Sequence, residues 1–127
     1  MKLEKLSSQE CVPCEGGMPP MQLMEAEKML REHAQQLQGW KISHATMKGK
    51  TVLTLEKSFR FKESQKGADF VHALWEAAEK QGHHPDIMLS YGRVTVAWAT
   101  HSIAGLSQND FIMAATTEEI YGKFESV

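Results

Sequence analysis

The sequence predicts an α+β fold: a four-stranded, mainly antiparallel sheet with helices packed on one face, in the order α-β-β-α-β-β-α. Three observations predict it. Stretches with apolar residues every three or four positions are interleaved with stretches that alternate every second position. The strand-like stretches come in pairs, each pair joined across a Gly-containing turn, which makes hairpins and an antiparallel sheet. The first two helical stretches each carry one apolar face, and a sheet face covers such a surface.

Residues 1–18 read as a loosely ordered leader of small and polar residues, and residues 19–127 as a single domain. Pro19-Pro20 suit the first turn of a helix. From Met21 to Gln38 the apolar positions Leu23, Ala26, Leu30, Ala34 and Leu37 recur at helical spacing, and Gly39 ends the run. Trp40 to Met47 is a short, mixed strand, followed by a hairpin turn at Lys48-Gly49. Thr51 to Phe61 then alternates: Leu53, Leu55, Phe59 and Phe61 share one face, with Lys57 among them, while Thr54, Glu56, Ser58 and Arg60 lie on an open second face. A second helix runs from Ser64 to Gln81 with Phe70, Val71, Leu74, Trp75 and Ala78 on its apolar side and Gly82 at C′. Ile87 to Tyr91, a Gly92-Arg93 turn and Val94 to Thr100 form the second hairpin. The last helix spans Ser107 to Phe124, with Ser107 as N-cap and Asp110 as the acidic partner of a capping box.

With 127 residues, the chain has room for one ordinary domain, and 42% apolar with 24% charged residues marks it as globular. A net charge of −2 without any basic run argues against nucleic-acid partners. The uncharged stretch from Val94 to Asn109 is interrupted by Thr, Ser, Gln and Asn, so no membrane span is expected. Met1 to Ser8 lacks the apolar run of a signal peptide, which makes the cytoplasm the default compartment. Cys11 and Cys14 form a Cys-x-x-Cys, but no strand precedes it, Gly16, Gly17, Pro19 and Pro20 delay the next helix, and no second pair completes a zinc site. Two reduced thiols in a tail is the plain reading; a metal shared between subunits or a redox role is the alternative.

The densest cluster of titratable groups runs from Glu79 through His83-His84-Pro85-Asp86 and Tyr91 to Thr100-His101 and Asp110. Pro85 forces His84 into an extended conformation, so the side chains of His83 and His84 diverge and do different jobs. His101 follows the last strand, where it leans toward the His-His corner. Histidine donates and accepts protons near neutrality, which points to acid–base chemistry in one cleft. For His83 and His84 alone, a helix-capping or turn role explains the sequence equally well. A zinc site of the three histidines with Asp110 is disfavoured, because adjacent extended histidines share one tetrahedral ion poorly. Asp110 is equally well explained as a capping-box carboxylate, and His33, His44 and His72 receive no role.

Glu79-x-x-x-His83-His84-Pro85, Tyr91, Thr100-His101, Ala104-Gly105-Leu106-Ser107 and Asp110 together resemble the pterin-4a-carbinolamine dehydratase family. The resemblance covers roughly residues 20–123, including Gly39-Trp40 and Phe59-Arg60-Phe61, and the Cys-x-x-Cys leader looks like bacterial members. Gly82 and the run Met88-Leu89-Ser90 depart from the family pattern. The resemblance implies four antiparallel strands with helices on one face, a homodimer or homotetramer, and dehydration of 4a-hydroxytetrahydrobiopterin, or another 4a-hydroxytetrahydropterin, with no cofactor and no metal. By the same resemblance His83 and His101 are the acid–base pair and His84, the third of the catalytic trio, binds and orients the pterin. Pro85 and Thr100 form pocket wall, and Glu79 and Asp110 are carboxylates that hold the imidazoles. Two alternatives accompany this reading: a non-catalytic scaffold or regulatory binding protein of the same fold, and a metal-dependent hydrolase using the same histidines.

Overall fold

A computed structural model of the chain describes residues 6–9 and 19–125. It contains α1 (Leu23–Glu32), β1 (Lys41–Met47), β2 (Lys50–Arg60), α2 (Ser64–Gln81), β3 (Asp86–Ser90), β4 (Arg93–Trp98) and α3 (Gln108–Glu125), with 3-10 turns at Leu6–Ser8 and His101–Ile103. The element order is the one that the periodicities predict. The four strands form one sheet in the order β1-β2-β4-β3, with every pairing antiparallel. β2 and β4 cross-pair Leu55 with Trp98 and Phe59 with Val94, so their large apolar side chains share the helix-covered face.

α3 is the central helix. Phe111, Ile112, Met113, Ala114 and Ala115 are all buried, and five consecutive buried residues go right round a helix. α2 lays Gly67, Phe70, Leu74 and Ala78 on the same core. Phe59, Phe61, Phe70 and Tyr121 form a knot of edge and tilted ring contacts between β2, α2 and α3. Lys57, the one cation on the apolar face of β2, is satisfied there. Its Nζ donates to Glu118 Oε2 at 2.7 Å and to the Gln38 carbonyl at 2.7 Å, while Trp40 Nε1 donates to the same Glu118 oxygen.

Several boundaries differ from expectation. The first helix is expected over 21–38 but stops at Glu32: His33 leaves the helical region (φ −116°, ψ 32°), and residues 33–40 continue as turns. Those turns keep the three-to-four spacing, since Leu37 N–H bonds the His33 carbonyl and Trp40 N–H the Leu37 carbonyl, so periodicity cannot tell them from helix. Within this stretch Leu23 and Ala34 are exposed, and the buried anchors are Ala26 and Leu37. The second face of β2 is not open throughout: Val52 and Thr54, paired with Ala45 and Ser43 of β1, are buried. The second hairpin turns at Tyr91-Gly92 rather than Gly92-Arg93, with Gly92 at φ +73°. β4 ends at Trp98, short of Thr100, which makes an isolated bridge to Gly105.

The leader also differs in part. Leu6–Ser8 form a 3-10 turn, and Leu6 is only 1% exposed in the main core, with its N–H donating to Gln36 Oε1 at 2.6 Å. A buried leucine contributes its full transfer free energy, and that places this turn inside the domain rather than ahead of it. Cys11 and Cys14 lie outside the described residues. Among the described residues, no helix is long and apolar enough to cross a membrane.

Candidate active site

The site is assembled where α2 ends, β4 ends and α3 begins. Gly82 adopts the left-handed conformation (φ 64°, ψ 29°), and the turn closes with two bonds: Gly82 N–H to the Glu79 carbonyl and His83 N–H to the Ala78 carbonyl. This is a Schellman turn, which fixes the backbone of His83 to the end of α2. Pro85, buried, follows immediately and extends His84. The two imidazoles diverge as the sequence predicts, and each finds its own carboxylate.

His83 points inward. Its Nε2 lies 2.7 Å from Asp110 Oδ1, and its ring stacks on Trp98 at 5.5 Å with a 17° interplanar angle. Trp98 is itself locked, with Nε1 donating to Thr117 Oγ1 at 3.1 Å. Asp110 is fully buried in the first turn of α3. Its Oδ2 accepts from the Ser107 backbone N–H at 2.9 Å and from the Thr100 hydroxyl at 2.8 Å. The Thr100 proton is thereby used, so the 2.8 Å contact between Ser107 and Thr100 hydroxyls has Ser107 donating. One oxygen of Asp110 thus meets the amide of the residue before α3, as a capping box would, and the other meets His83.

A carboxylate only accepts, so against it His83 donates through Nε2–H, and when the ring is neutral its lone pair then lies at Nδ1. Among the described residues Nδ1 makes no hydrogen bond, and the side chain retains 11% exposure. A proton acceptor with fixed orientation thus faces outward from a buried support.

His84 takes the other side. Its Nε2 lies 3.1 Å from Glu79 Oε1, and its ring packs against Trp75 at 4.8 Å. His101 begins a 3-10 turn and is exposed. Among the described residues its side chain makes no hydrogen bond or ion pair, with His83 and His84 included. What ties it to the site is its neighbour Thr100, anchored to the same carboxylate as His83 and bridged to Gly105 through bonds of 2.7 and 3.2 Å. Among the described residues no group of three or more His, Cys, Asp or Glu side chains is gathered as a metal ion requires.

The family resemblance implies Thr100 as pocket wall, but nothing in the sequence marks its hydroxyl as a donor to Asp110, nor Ser107 Oγ, the stacking face of Trp98 or the contact of Trp75. Only the alternation of Val94, Val96 and Trp98 hinted at one of these, by putting Trp98 on the helix side.

Comparison with known proteins follows this geometry. The pterin 4 alpha carbinolamine dehydratase family matches residues 20–120. A protein of Cupriavidus pinatubonensis, named provisionally as pterin-4-alpha-carbinolamine dehydratase 1, is 43% identical over 117 residues, covering 92% of each chain. A relative from Azoarcus sp., provisionally named in the same way, is 40% identical over 120 residues, covering 94% of each. Among solved structures, a transcriptional coactivator/pterin dehydratase from Brucella melitensis superposes with a TM-score of 0.65 at 31% identity, covering 81% of this chain and 99% of that one. A pterin dehydratase-like protein identified as a RuBisCO assembly factor in the alpha-carboxysome shares the fold, with a TM-score of 0.54 at 19% identity over 68% of this chain and 94% of that one.

Proposed function

The chain belongs to the pterin 4 alpha carbinolamine dehydratase family, and from that premise we propose that it removes water from a 4a-hydroxytetrahydropterin, 4a-hydroxytetrahydrobiopterin in our reading, to give the quinonoid dihydropterin. The observation that carries this reading is the His83–Asp110 pair, 2.7 Å apart on a buried support, with Nδ1 turned outward.

The chemistry needs two proton movements. The C4a–O bond breaks as the hydroxyl receives a proton and leaves as water. The N5–H proton goes to a base, and the N5 electrons form the C4a=N5 double bond. His83, with its acceptor at Nδ1, takes the N5 proton, and the resulting imidazolium lies against the Asp110 carboxylate. His101 delivers the proton to the leaving hydroxyl. Each such transfer contributes about 10²–10⁴-fold. His84 binds and orients the ring, held by Glu79, while Pro85 and Thr100 wall the pocket. In a cell that oxidises tetrahydropterins, the reaction returns the cofactor to use.

The same reading takes the working form as a homodimer or homotetramer. β3 is a sheet edge carrying exposed Met88 and Leu89, which suits pairing with a second copy. The test of the activity is a stopped-flow record of synthetic 4a-hydroxytetrahydropterin decay with and without the protein. Saturable acceleration to the quinonoid product is expected; decay at the buffer rate at every protein concentration contradicts the proposal and leaves a scaffold role on the same fold.

A further inference from the structure

Trp75 stands where a helix of this amphipathicity buries an apolar residue, yet its indole is 43% exposed, whereas Trp40 and Trp98 are buried. It is one turn before Glu79 on α2, and residues at i and i+4 share a helix face. The chain leaves α2 through the Gly82 turn and brings His84 back over that face. There the imidazole meets the indole at 4.8 Å with a 48° interplanar angle, and Glu79 Oε1 at 3.1 Å. One contact constrains the plane of the ring and the other its rotation within that plane.

We propose that Trp75 is a positioning residue: the indole face and the Glu79 carboxylate together clamp His84 in the orientation in which it meets the pterin. The proposal rests on the reading of His84 as the group that binds and orients substrate. Glu79 alone is a weak restraint, because its carboxylate and the imidazole are both partly solvated and surface pairs of this kind contribute little. An aromatic neighbour adds a contact that water does not screen. The clamp leaves His84 Nδ1 without a hydrogen-bond partner among the described residues, directed away from Glu79.

A clamp on a binding group acts on ground state and transition state alike, so its loss raises KM and leaves kcat nearly unchanged. Trp75→Ala is expected to raise KM roughly twofold to tenfold, the size of one aromatic pair, with kcat within about twofold of the parent. Trp75→Phe, which keeps a ring of smaller area, is expected to restore most of the lost affinity. A second readout needs no substrate. The indole ring current is expected to hold the His84 ring protons upfield in the NMR spectrum of the parent protein, and Trp75→Ala is expected to move them downfield while the His83 ring protons stay in place. Unmoved His84 resonances in Trp75→Ala overturn the proposal, as does an unchanged KM in a protein that turns the carbinolamine over. A purely structural role lowers the melting temperature of both variants without the KM change, and that result also overturns it. If the parent protein shows no turnover, the proposed function fails, and the NMR comparison still decides whether Trp75 holds His84.

Discussion

A carboxylate shut away from water persists only where donors occupy its lone pairs, and Asp110 has three: the Ser107 amide, the Thr100 hydroxyl and His83 Nε2. Replacing one oxygen by an amide tests the whole arrangement. In Asp110→Asn the remaining oxygen can serve the Ser107 and Thr100 donors, but the amide N–H₂ then faces His83 and forces Nε2 to accept. The ring must carry its proton on Nδ1, the reverse of what proton abstraction needs. The variant is expected to lose about 1–3 kcal/mol of stability by urea unfolding. Its dehydration rate is expected to fall ~10²-fold or more. A rate within twofold of the parent removes the tautomer argument. At this scale the sequence was informative about residue types: Glu79, His83, His84, Thr100, His101 and Asp110 all stand out by spacing. Beyond the Ser107–Asp110 cap, and the carboxylate–imidazole contacts that the resemblance implies, it does not say who bonds to whom. The partners of Asp110 come from a strand end, a helix cap and a post-helical turn, and only the fold sets those distances.

Among the elements, α2 illustrates how a boundary becomes legible. A helical run, a basic residue in the last turn and a glycine that takes the left-handed conformation agree with one another, and Ser64–Gln81 forms as the pattern predicts. α1 shows the opposite case. Its apolar spacing continues through turns that have the same period, so the stop at Glu32 leaves no mark in the pattern. The sequence extends the last strand to Thr100, because Ala99 and Thr100 continue the alternation of β4. In fact the chain turns at His101–Ile103, passes Ala104 in the left-handed region (φ 53°) and returns to pair Gly105 with Thr100. Gly105 is required there for space: an added Cβ meets Pro20 Cβ at 2.5 Å, an atom of a rigid ring. Gly105→Ala is therefore expected to cost about 1–3 kcal/mol. By displacing Thr100 it should also slow dehydration. A melting temperature and rate equal to the parent show that Pro20 yields freely and that the loop does not depend on this contact.

For the whole molecule, the core extends further toward the N-terminus than composition suggests. Sparse apolar residues among polar neighbours read as a leader, yet Leu6 docks into the main core beside α3, and its amide is held by Gln36 in the turns after α1. Two leucines in a short polar stretch are too few to define a periodicity, which is why this contact has no mark in the sequence. Leu6→Ala is expected to lower stability by about 2–4 kcal/mol in urea unfolding, as for a core leucine. A loss below about 0.5 kcal/mol would mean that the turn at Leu6–Ser8 contributes nothing to the domain. Across the molecule the same logic links stability to chemistry. The sheet and α3 bury Trp98 and Asp110, these two fix the imidazole of His83, and its outward nitrogen is the one to which the proposed reaction gives the N5 proton. The measurement that addresses this most directly is single-turnover decay of 4a-hydroxytetrahydropterin on the parent protein and on His83→Ala, with near-ultraviolet circular dichroism confirming that both are folded. The expected result is a rate on the folded variant lower by ~10²-fold or more; a folded His83→Ala that matches the parent rate contradicts the account.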